Sequence, residues 1–387
     1  MLRRYLISAV TAALTLIATS VHAEDGVTSD TVLLGATNAT TGPVAAPCSG
    51  VAAGAQSYIA KINAAGGVVG RKIQYDLLDD GYSAQRATGN VRRLLQQDKV
   101  FAVLGGCGTA TAAAALAALE KTEVPYLFPY AGLQRIVEPP KPNVLALLPL
   151  YPTQLSVLLP YVIEQAKPKT AALFTFNIAG HEDVQKTMND ILAKAGVKVV
   201  VDALMEVSSP ERGAFALQAK DANVDLVVLN DSSPGAARFV IEMQRQNWKP
   251  KAITGVSTLT DEAFLRAVGN GVDGILMAPG VVLPPNAPEA KDCVDALTEF
   301  DKSVPPSHYT MFGCLTAKVM AEGLKRAGTD LTRASLLAAF DGLDGFDPGI
   351  AGKIAFSPEQ RMGLGALYVF SVEGGAFKVG DSLPIPK

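Results

Sequence analysis

The pattern of apolar and polar positions predicts short strands alternating with amphipathic helices. Short apolar runs bounded by glycine, proline or acidic residues are separated by longer stretches with apolar positions at helical spacing. This rhythm is typical of a parallel sheet with helices on both faces, so we expect an α/β fold. The first series has predicted strands at 32–36, 73–78, 100–104 and 124–128, a loop at 38–49, and predicted helices starting at 51, 84 and 109.

The same rhythm begins again near residue 170. Predicted strands at 170–174, 197–201, 226–229 and 252–255 alternate with predicted helices at 181–195, 212–222 and 234–246. Two such series predict two doubly wound parallel-sheet lobes. Ligands of these sheets bind where loops leave the carboxyl ends of the strands, so facing lobes would form a cleft.

The N-terminal 23 residues have the features of a signal peptide. A basic pair at Arg3 and Arg4 precedes an apolar segment at 6–17 and the small-residue pattern Val21-His22-Ala23. A transmembrane anchor is the competing interpretation, but polar residues interrupt the apolar run, which is short for a bilayer span. We therefore expect export to the periplasm and no membrane insertion after cleavage.

Composition narrows the function classes. The 387 residues include 34 Lys and Arg against 37 Asp and Glu, with a net charge of −3 and no basic run, so nucleic acid is not an expected partner. The length favours two domains. Four cysteines, Cys48, Cys107, Cys293 and Cys314, permit two disulfides in an oxidising compartment. Three pairings are possible, and buried free thiols are the alternative.

No catalytic or metal-binding motif stands out. His181 and His308 are the histidines beyond the signal segment, and neither belongs to an HExxH or nucleophile-elbow motif. The spacing of Asp341, Asp344 and Asp347 favours a solvated turn over a calcium loop. We expect no metal, no cofactor and no enzymatic activity. His181 opens a predicted helix, and an ordinary exposed histidine is favoured there over a cleft residue.

Two glycine-rich segments differ in their context. Residues 269–274 spell GxGxxG but follow a helix and precede a strand, which reverses the order of a nucleotide-binding turn. The loop at 105–109, with Cys107, Gly108 and Thr109, instead follows a strand and opens a helix. Helix-start amides favour anions, so this loop predicts a site for a small carboxylate, with a ligand-free turn as the alternative.

Several segments together resemble the periplasmic substrate-binding proteins of the Leu/Ile/Val class, which serve ABC importers. The segment most specific to this class is "INAAGGVVGRKIQYDLLDD" at 62–80, where two glycines end a helix and two aspartates close the next strand. The others are "TTGPVAAPC", "LLQQDKVFAVLGG", "VPYLFPYAG" and "DLVVLN".

The resemblance implies two lobes of the type I periplasmic binding fold, joined by a three-crossover hinge. One lobe would comprise residues 24–148 plus 281–357, and the other 149–280 plus 358–387. Such proteins close on a small-molecule solute, and the closed form docks on an inner-membrane ABC permease. We expect a monomer.

The resemblance also implies a ligand-binding set in the cleft. The helix start at Thr109 and the main chain of Tyr130 and Ala131 would hold the solute, with Tyr130 and Phe176 as aromatic walls. The full set is Cys107, Gly108, Thr109, Tyr130, Ala131, Gly132, Phe176, Asn177, Asp231 and Ser257.

Departures from the family pattern bear on the ligand. Amino-acid binders usually carry threonine, tyrosine and an acid where this chain has Gly132, Ala179 and Ser257. The tyrosine and the acid help to hold an ammonium group, which is costly to bury without a partner. The favoured ligand is therefore a small organic acid, with aromatic carboxylates foremost. Alternatives are a receptor for branched-chain or other amino acids, a ligand-sensing module of an amide or aromatic regulatory system, and an enzyme on this fold.

The sheet order implied by the resemblance also suggests a disulfide pairing. It makes the first and third strands neighbours, so the loops with Cys48 and Cys107 would meet. Cys293 and Cys314 would lie on successive antiparallel helices. We therefore expect the pairs Cys48–Cys107 and Cys293–Cys314.

Overall fold

The computed structural model describes residues 24–206 and 211–386; the expected signal peptide at 1–23 lies outside them. The first part contains β1 (Thr31–Asn38), α1 (Ala45–Ala64), β2 (Lys72–Asp79), α2 (Ala84–Gln96), β3 (Ala102–Leu104), α3 (Thr109–Leu119), β4 (Tyr126–Leu127) and β5 (Val144–Leu145). These strands form a parallel sheet in the order β2-β1-β3-β4-β5. The predicted α/β rhythm is confirmed here.

A second parallel sheet follows, in the order β7-β6-β8-β9. Its elements are α4 (Tyr151–Ala166), β6 (Thr170–Phe176), α5 (His181–Lys194), β7 (Lys198–Met205), α6 (Gly213–Asp221), β8 (Leu226–Asn230), α7 (Ser233–Arg245), β9 (Ala252–Gly255) and α8 (Glu262–Val268). The two sheets repeat one winding pattern, as the two sequence series predict.

The remaining elements return to both sheets. They are β10 (Met277–Gly280), α9 (Lys291–Phe300), α10 (His308–Ala327), α11 (Arg333–Asp341), β11 (Ala366–Glu373) and β12 (Ala376–Pro384). Strands β10, β11 and β12 pair antiparallel, and a bridge between Ile253 and Leu276 attaches this sheet to β9. The GxGxxG segment forms a short 3₁₀ turn at Gly269–Val272, as its context predicts.

Two helix predictions need correction. Helix α1 begins at Ala45, inside the predicted loop at 38–49. Pro47 is compatible with this start because it lies in the first turn, where a missing amide is tolerated. Helix α4 was not predicted at all. It contains Pro152 in its first turn and Pro160 in its interior, and interior proline argues against a helix on sequence grounds.

The chain just beyond the predicted lobe boundary near residue 357 also contacts the first sheet. Met362 forms a parallel bridge with Ala146, beside the edge strand β5 of the first sheet. The buried Arg361 side chain donates to the carbonyl oxygens of Val144 and Pro142 and to the Asp341 carboxylate. Residues up to about 363 therefore stay with the first sheet. The division into two lobes itself stays a prediction.

The aspartate pair in the motif at 62–80 holds the loop after β1. Asp79 accepts hydrogen bonds from the hydroxyls of Thr40 and Thr41, while Asp80 accepts one from Thr37. Desolvation alone would raise the pKa of Asp79, but the hydrogen bonds from the threonines and from the Gly81 amide together bring it well below its usual value. The two aspartates therefore hold the loop after β1 against the carboxyl end of β2.

Both predicted disulfides are confirmed. Cys48 pairs with Cys107, with Cα atoms 5.2 Å apart, and Cys293 pairs with Cys314, with Cα atoms 5.9 Å apart. The first bond ties the start of α1 to the loop before α3. It therefore supports the segment in which the predicted anion site lies.

Candidate functional site

Thr109 begins α3 directly behind the predicted anion loop. Gly106 and Gly108 have φ angles of 93° and 114°, which glycine adopts readily. A Cβ at Gly108 would lie 2.9 Å from ring atoms of Tyr82, so that ring closes one side of the loop. The first amides of a helix have no intrahelical acceptor and favour anions, and the Tyr82 hydroxyl lies near the Ala110 amide.

The neighbouring loop at 130–132 packs against Tyr151, a residue the sequence analysis missed. The Tyr151 amide donates to the Gly132 carbonyl oxygen at 3.1 Å, and its ring lies over the Gly132 Cα. Its hydroxyl lies near the Thr109 side chain, and its ring centre is 6.2 Å from that of Phe176. Burial raises the pKa of Tyr151 well above its ordinary value, so the phenol stays neutral. Tyr151 thus joins three of the predicted site residues.

We expect Gly132→Ala to lower the unfolding free energy by about 1–3 kcal/mol, the usual range for overpacking a core. The added Cβ would lie 2.5 Å from three carbons of the Tyr151 ring. Urea denaturation measures the change, and the loss should shrink when the same substitution is made in a Tyr151→Ala background. Gly89→Ala is the control, because a Cβ there meets nothing within 4 Å. A Gly132→Ala protein as stable as wild type would contradict this packing.

The opposite wall of the site comes from the loop after β9. Ser257 is fully buried; its amide donates to Gln154 Oε1 at 2.7 Å, and its hydroxyl lies next to that of Tyr130. Gln154 also donates to the Pro149 carbonyl oxygen at 2.6 Å. The side chain of this α4 residue therefore holds the Ser257 loop against α4. No sequence pattern marked Gln154, which is a helix residue distant in sequence from the loop it supports.

Asp231, one of the predicted contact residues, forms a buried ion pair with Arg212. Its carboxylate accepts from Arg212 Nε at 2.8 Å and Nη2 at 3.2 Å, and the two side chains are 1% and 0% exposed. Its carbonyl oxygen accepts from the Thr258 hydroxyl at 2.6 Å. The Asp231 carboxylate therefore stabilises the loop, and its contact with the solute stays a prediction.

Asn177 and His181 border a cavity of about 440 Å³ that also reaches Tyr82 and Ala110. This size lies within the range of small-molecule sites. The His181 side chain is only 19% exposed, which corrects the interpretation as an ordinary exposed histidine. The Asn177 side chain donates to Glu206 at 2.8 Å. The starts of α3 and α5 thus border one cavity.

Buried polar bridges connect the two predicted lobes beside Tyr130. The Thr260 hydroxyl donates to the Ser257 carbonyl oxygen, so it accepts from Nδ1–H of His308 at 3.1 Å. Burial lowers the pKa of His308 to about 3, so the ring is neutral and its Nε2 accepts from the Tyr130 hydroxyl at 3.0 Å.

A second bridge of the same kind lies nearby. The hydroxyls of Tyr309 and Ser233 are 2.6 Å apart, and the His308 amide donates to Glu262 Oε2 at 2.7 Å. Burial raises the pKa of Glu262 to about 7. Tyr309 and His308 open α10, and the sequence analysis did not place either of them at the cleft.

Within residues 24–206 and 211–386, no three His, Cys, Asp or Glu side chains gather as metal ligands would. In the same part of the chain, no helix combines the length and the apolar character required to traverse a bilayer.

Residues 31–376 match the family model described as periplasmic binding protein. The chain belongs to this family. Its relatives include the Leu/Ile/Val-binding protein BraC3 of Rhizobium johnstonii, which is 23% identical over 337 residues, covering 87% of this chain and 90% of that protein. This periplasmic binding protein is therefore akin to solute-binding receptors rather than enzymes.

Solved structures share the fold across nearly the whole length. A branched-chain amino acid ABC transporter protein from Thermus thermophilus with bound valine has a TM-score of 0.84 at 18% identity, covering 92% of this chain and 96% of that one. A solute-binding protein from R. palustris in complex with benzoate has a TM-score of 0.79 at 21% identity, covering 92% and 97%. At these identities the likeness shows the type I fold, which confirms the expected fold class.

Proposed function

We propose that this protein is an extracytoplasmic receptor of an ABC importer that binds a small organic acid, with aromatic carboxylates as the favoured class. The solute would lie between the walls formed by Thr109 and Ser257. Its binding favours the closed arrangement of the two lobes, because a ligand shifts a protein toward the state that it binds better. The closed form would then dock on an inner-membrane permease, as the family implies.

The observation that carries this proposal is the set of hydrogen-bond donors and aromatic side chains around Thr109, where α3 begins. The Thr109 hydroxyl and the first amides of α3 are hydrogen-bond donors for a carboxylate. The phenols of Tyr82 and Tyr151 lie beside the Ala110 amide and the Thr109 side chain, and the Tyr130 loop flanks them. Aromatic rings around an anion-favouring helix start suit a ligand with a carboxylate on a ring.

An ammonium group finds little support at the same place. Ser257 presents a neutral hydroxyl where amino-acid binders carry an acid, and the nearby Asp231 carboxylate is paired with Arg212. Burying an ammonium without a carboxylate costs several kcal/mol, against roughly 8 kcal/mol for a micromolar affinity.

A receptor for amino acids is the second candidate, and Asp261 favours it. Burial raises the pKa of Tyr130 and Tyr309, and the negative charge of the nearby, buried Asp261 carboxylate adds to both shifts. Asp261 also borders a mostly apolar cavity of about 530 Å³. Asp261 also accepts the Ala263 amide at 3.1 Å as the N-cap of α8, which gives it a structural role as well.

Calorimetry on protein refolded from denaturant, which removes carried-over solute, distinguishes the two candidates. We expect benzoate to bind, benzamide to bind at least about tenfold more weakly because it lacks the charge that strengthens hydrogen bonds, and leucine to bind most weakly. Thermal shifts provide a check, because a ligand at 100-fold its Kd stabilises by about 2.7 kcal/mol. Leucine binding tighter than every acid without an amino group would overturn the proposal in favour of the second candidate.

A further inference from the structure

Unpartnered polar atoms lie together at the carboxyl ends of the second sheet. The oxygen or nitrogen atoms of the Thr175, Asn230, Thr254 and Ser257 side chains have no hydrogen-bond partner among the described residues. For Asn230 both the amide nitrogen and the oxygen are unpartnered. All four residues are 0% exposed. We call these residues the neutral polar cluster.

The strand register places the cluster on one face of the sheet. Thr175 on β6 and Asn230 on β8 are direct cross-strand partners. Thr254 on β9 is the partner of Val228, which lies two residues before Asn230 and therefore points to the same side. Val228 packs in the apolar cluster of Tyr151 and Leu155, so this is the face covered by α4.

Ser257 connects the cluster to the solute cleft. It follows β9, and its hydroxyl lies next to the Tyr130 hydroxyl, across from the Thr109 loop. Parallel doubly wound sheets bind ligands at the carboxyl ends of their strands, which is where Thr175 and Asn230 stand. The cluster therefore extends from Ser257, beside Tyr130, to the carboxyl ends of β6 and β8, and Thr254 lies one step deeper under α4.

Native proteins pair nearly all of their buried polar groups, because an unpaired group loses its hydration without compensation. Hydroxyl and carboxamide groups both donate and accept hydrogen bonds, and they carry no charge. A charged ligand group among them would be desolvated without a counter-charge. The chemistry of the cluster thus matches a neutral group that both donates and accepts.

We propose that the neutral polar cluster binds an uncharged hydrogen-bonding group, a hydroxyl or a carboxamide, that the solute carries away from its carboxylate. This inference rests on the proposed function and deepens it. The receptor would select hydroxylated or carbamoylated acids over the unsubstituted acid. A site built to hydrogen-bond such a group rejects the analogue lacking it, since its own polar groups are left unpaired.

The test measures Kd at pH 7 for benzoate, the three hydroxybenzoates and the three carbamoylbenzoates, on wild type and Asn230→Leu. We expect at least one substituted acid to bind wild type about tenfold or more tighter than benzoate, and this advantage to disappear in Asn230→Leu. Leu keeps the branching and the number of heavy atoms of Asn, and the comparison uses the ratio of each substituted acid's Kd to the Kd of benzoate in the same protein. Asn189→Leu is the control: this half-buried residue of α5 donates to Gln185 and Asp202, outside the cluster, so the variant should keep the advantage.

Each other outcome has a definite meaning. If benzoate binds and no substituted acid is preferred, or if the preference survives in Asn230→Leu, the cluster holds only buried water and the inference is overturned while the proposed function stands. If no acid binds wild type, both fail. Should Asn230→Leu not fold, Thr254→Val removes one hydroxyl of the cluster with little change of shape and must reduce the same preference.

Discussion

Replacing Asp231 with alanine should lower the unfolding free energy by about 3–5 kcal/mol, the range for removing one partner of a buried ion pair. Arg212 and Asp231 are 0% and 1% exposed at their side chains and meet through two hydrogen bonds. The substitution leaves the guanidinium buried without its carboxylate. Arg212 also donates to the Glu206 carbonyl oxygen, and that neutral acceptor does not replace a charge. Urea denaturation followed by circular dichroism measures the loss.

Two further variants test whether the loss in Asp231→Ala comes from the buried ion pair. Asp231→Asn keeps the shape of the side chain but removes its charge, so it should also be clearly destabilised. Asp190→Ala breaks an exposed pair with Lys186 on α5 and should leave the midpoint unchanged within error, since such surface pairs contribute little. A loss below about 1 kcal/mol for Asp231→Ala would mean that the pair is not the buried unit described here.

The fold was largely predictable because its signals are local. Strands of a parallel sheet are short apolar runs, and helix ends carry glycine, so the order of elements follows from the chain itself. The interior Pro160 argues against a helix at α4, and tertiary packing of Leu155 and Leu158 outweighs it. The hairpin of β11 and β12 had a usable signal in Gly374-Gly375, whose positive φ angles suit a tight turn, but it was not interpreted.

Residues of the candidate site were predictable from sequence only where a single loop contains all of the residues that form the pattern. Thr109 stands directly after a strand and a glycine loop, so its role at a helix start follows from local sequence. Tyr151 reaches Gly132 from a crossover segment, and His308 comes from a helix far along the chain. Thr175 and Asn230 meet through sheet register alone. Contacts of this kind depend on tertiary structure, which no short pattern contains.

Thr109→Val should weaken the binding of benzoate by about tenfold to over a hundredfold. The substitution is nearly isosteric and removes one hydroxyl at the start of α3, where a hydrogen bond to a charged group contributes roughly 1.5–3 kcal/mol. The same hydroxyl lies near the Tyr151 hydroxyl, so its loss also changes the surroundings of that phenol. The helix amides remain, which is why affinity should fall rather than vanish. Calorimetry with wild type and variant at neutral pH measures the change.

The control for Thr109→Val lies in the turn that follows the same helix, which ends at Leu119. Thr122→Val removes a hydroxyl that donates to the Leu119 carbonyl oxygen at 2.8 Å, so it makes the same chemical change far from the cleft. It should lower stability slightly and leave the benzoate affinity unchanged. Benzamide supplies a second comparison: because it has no charge, its weaker binding should respond to Thr109→Val by a smaller factor than that of benzoate. Equal benzoate affinity in wild type and Thr109→Val would remove Thr109 from the site, and the anion would then have to be bound by the main chain alone.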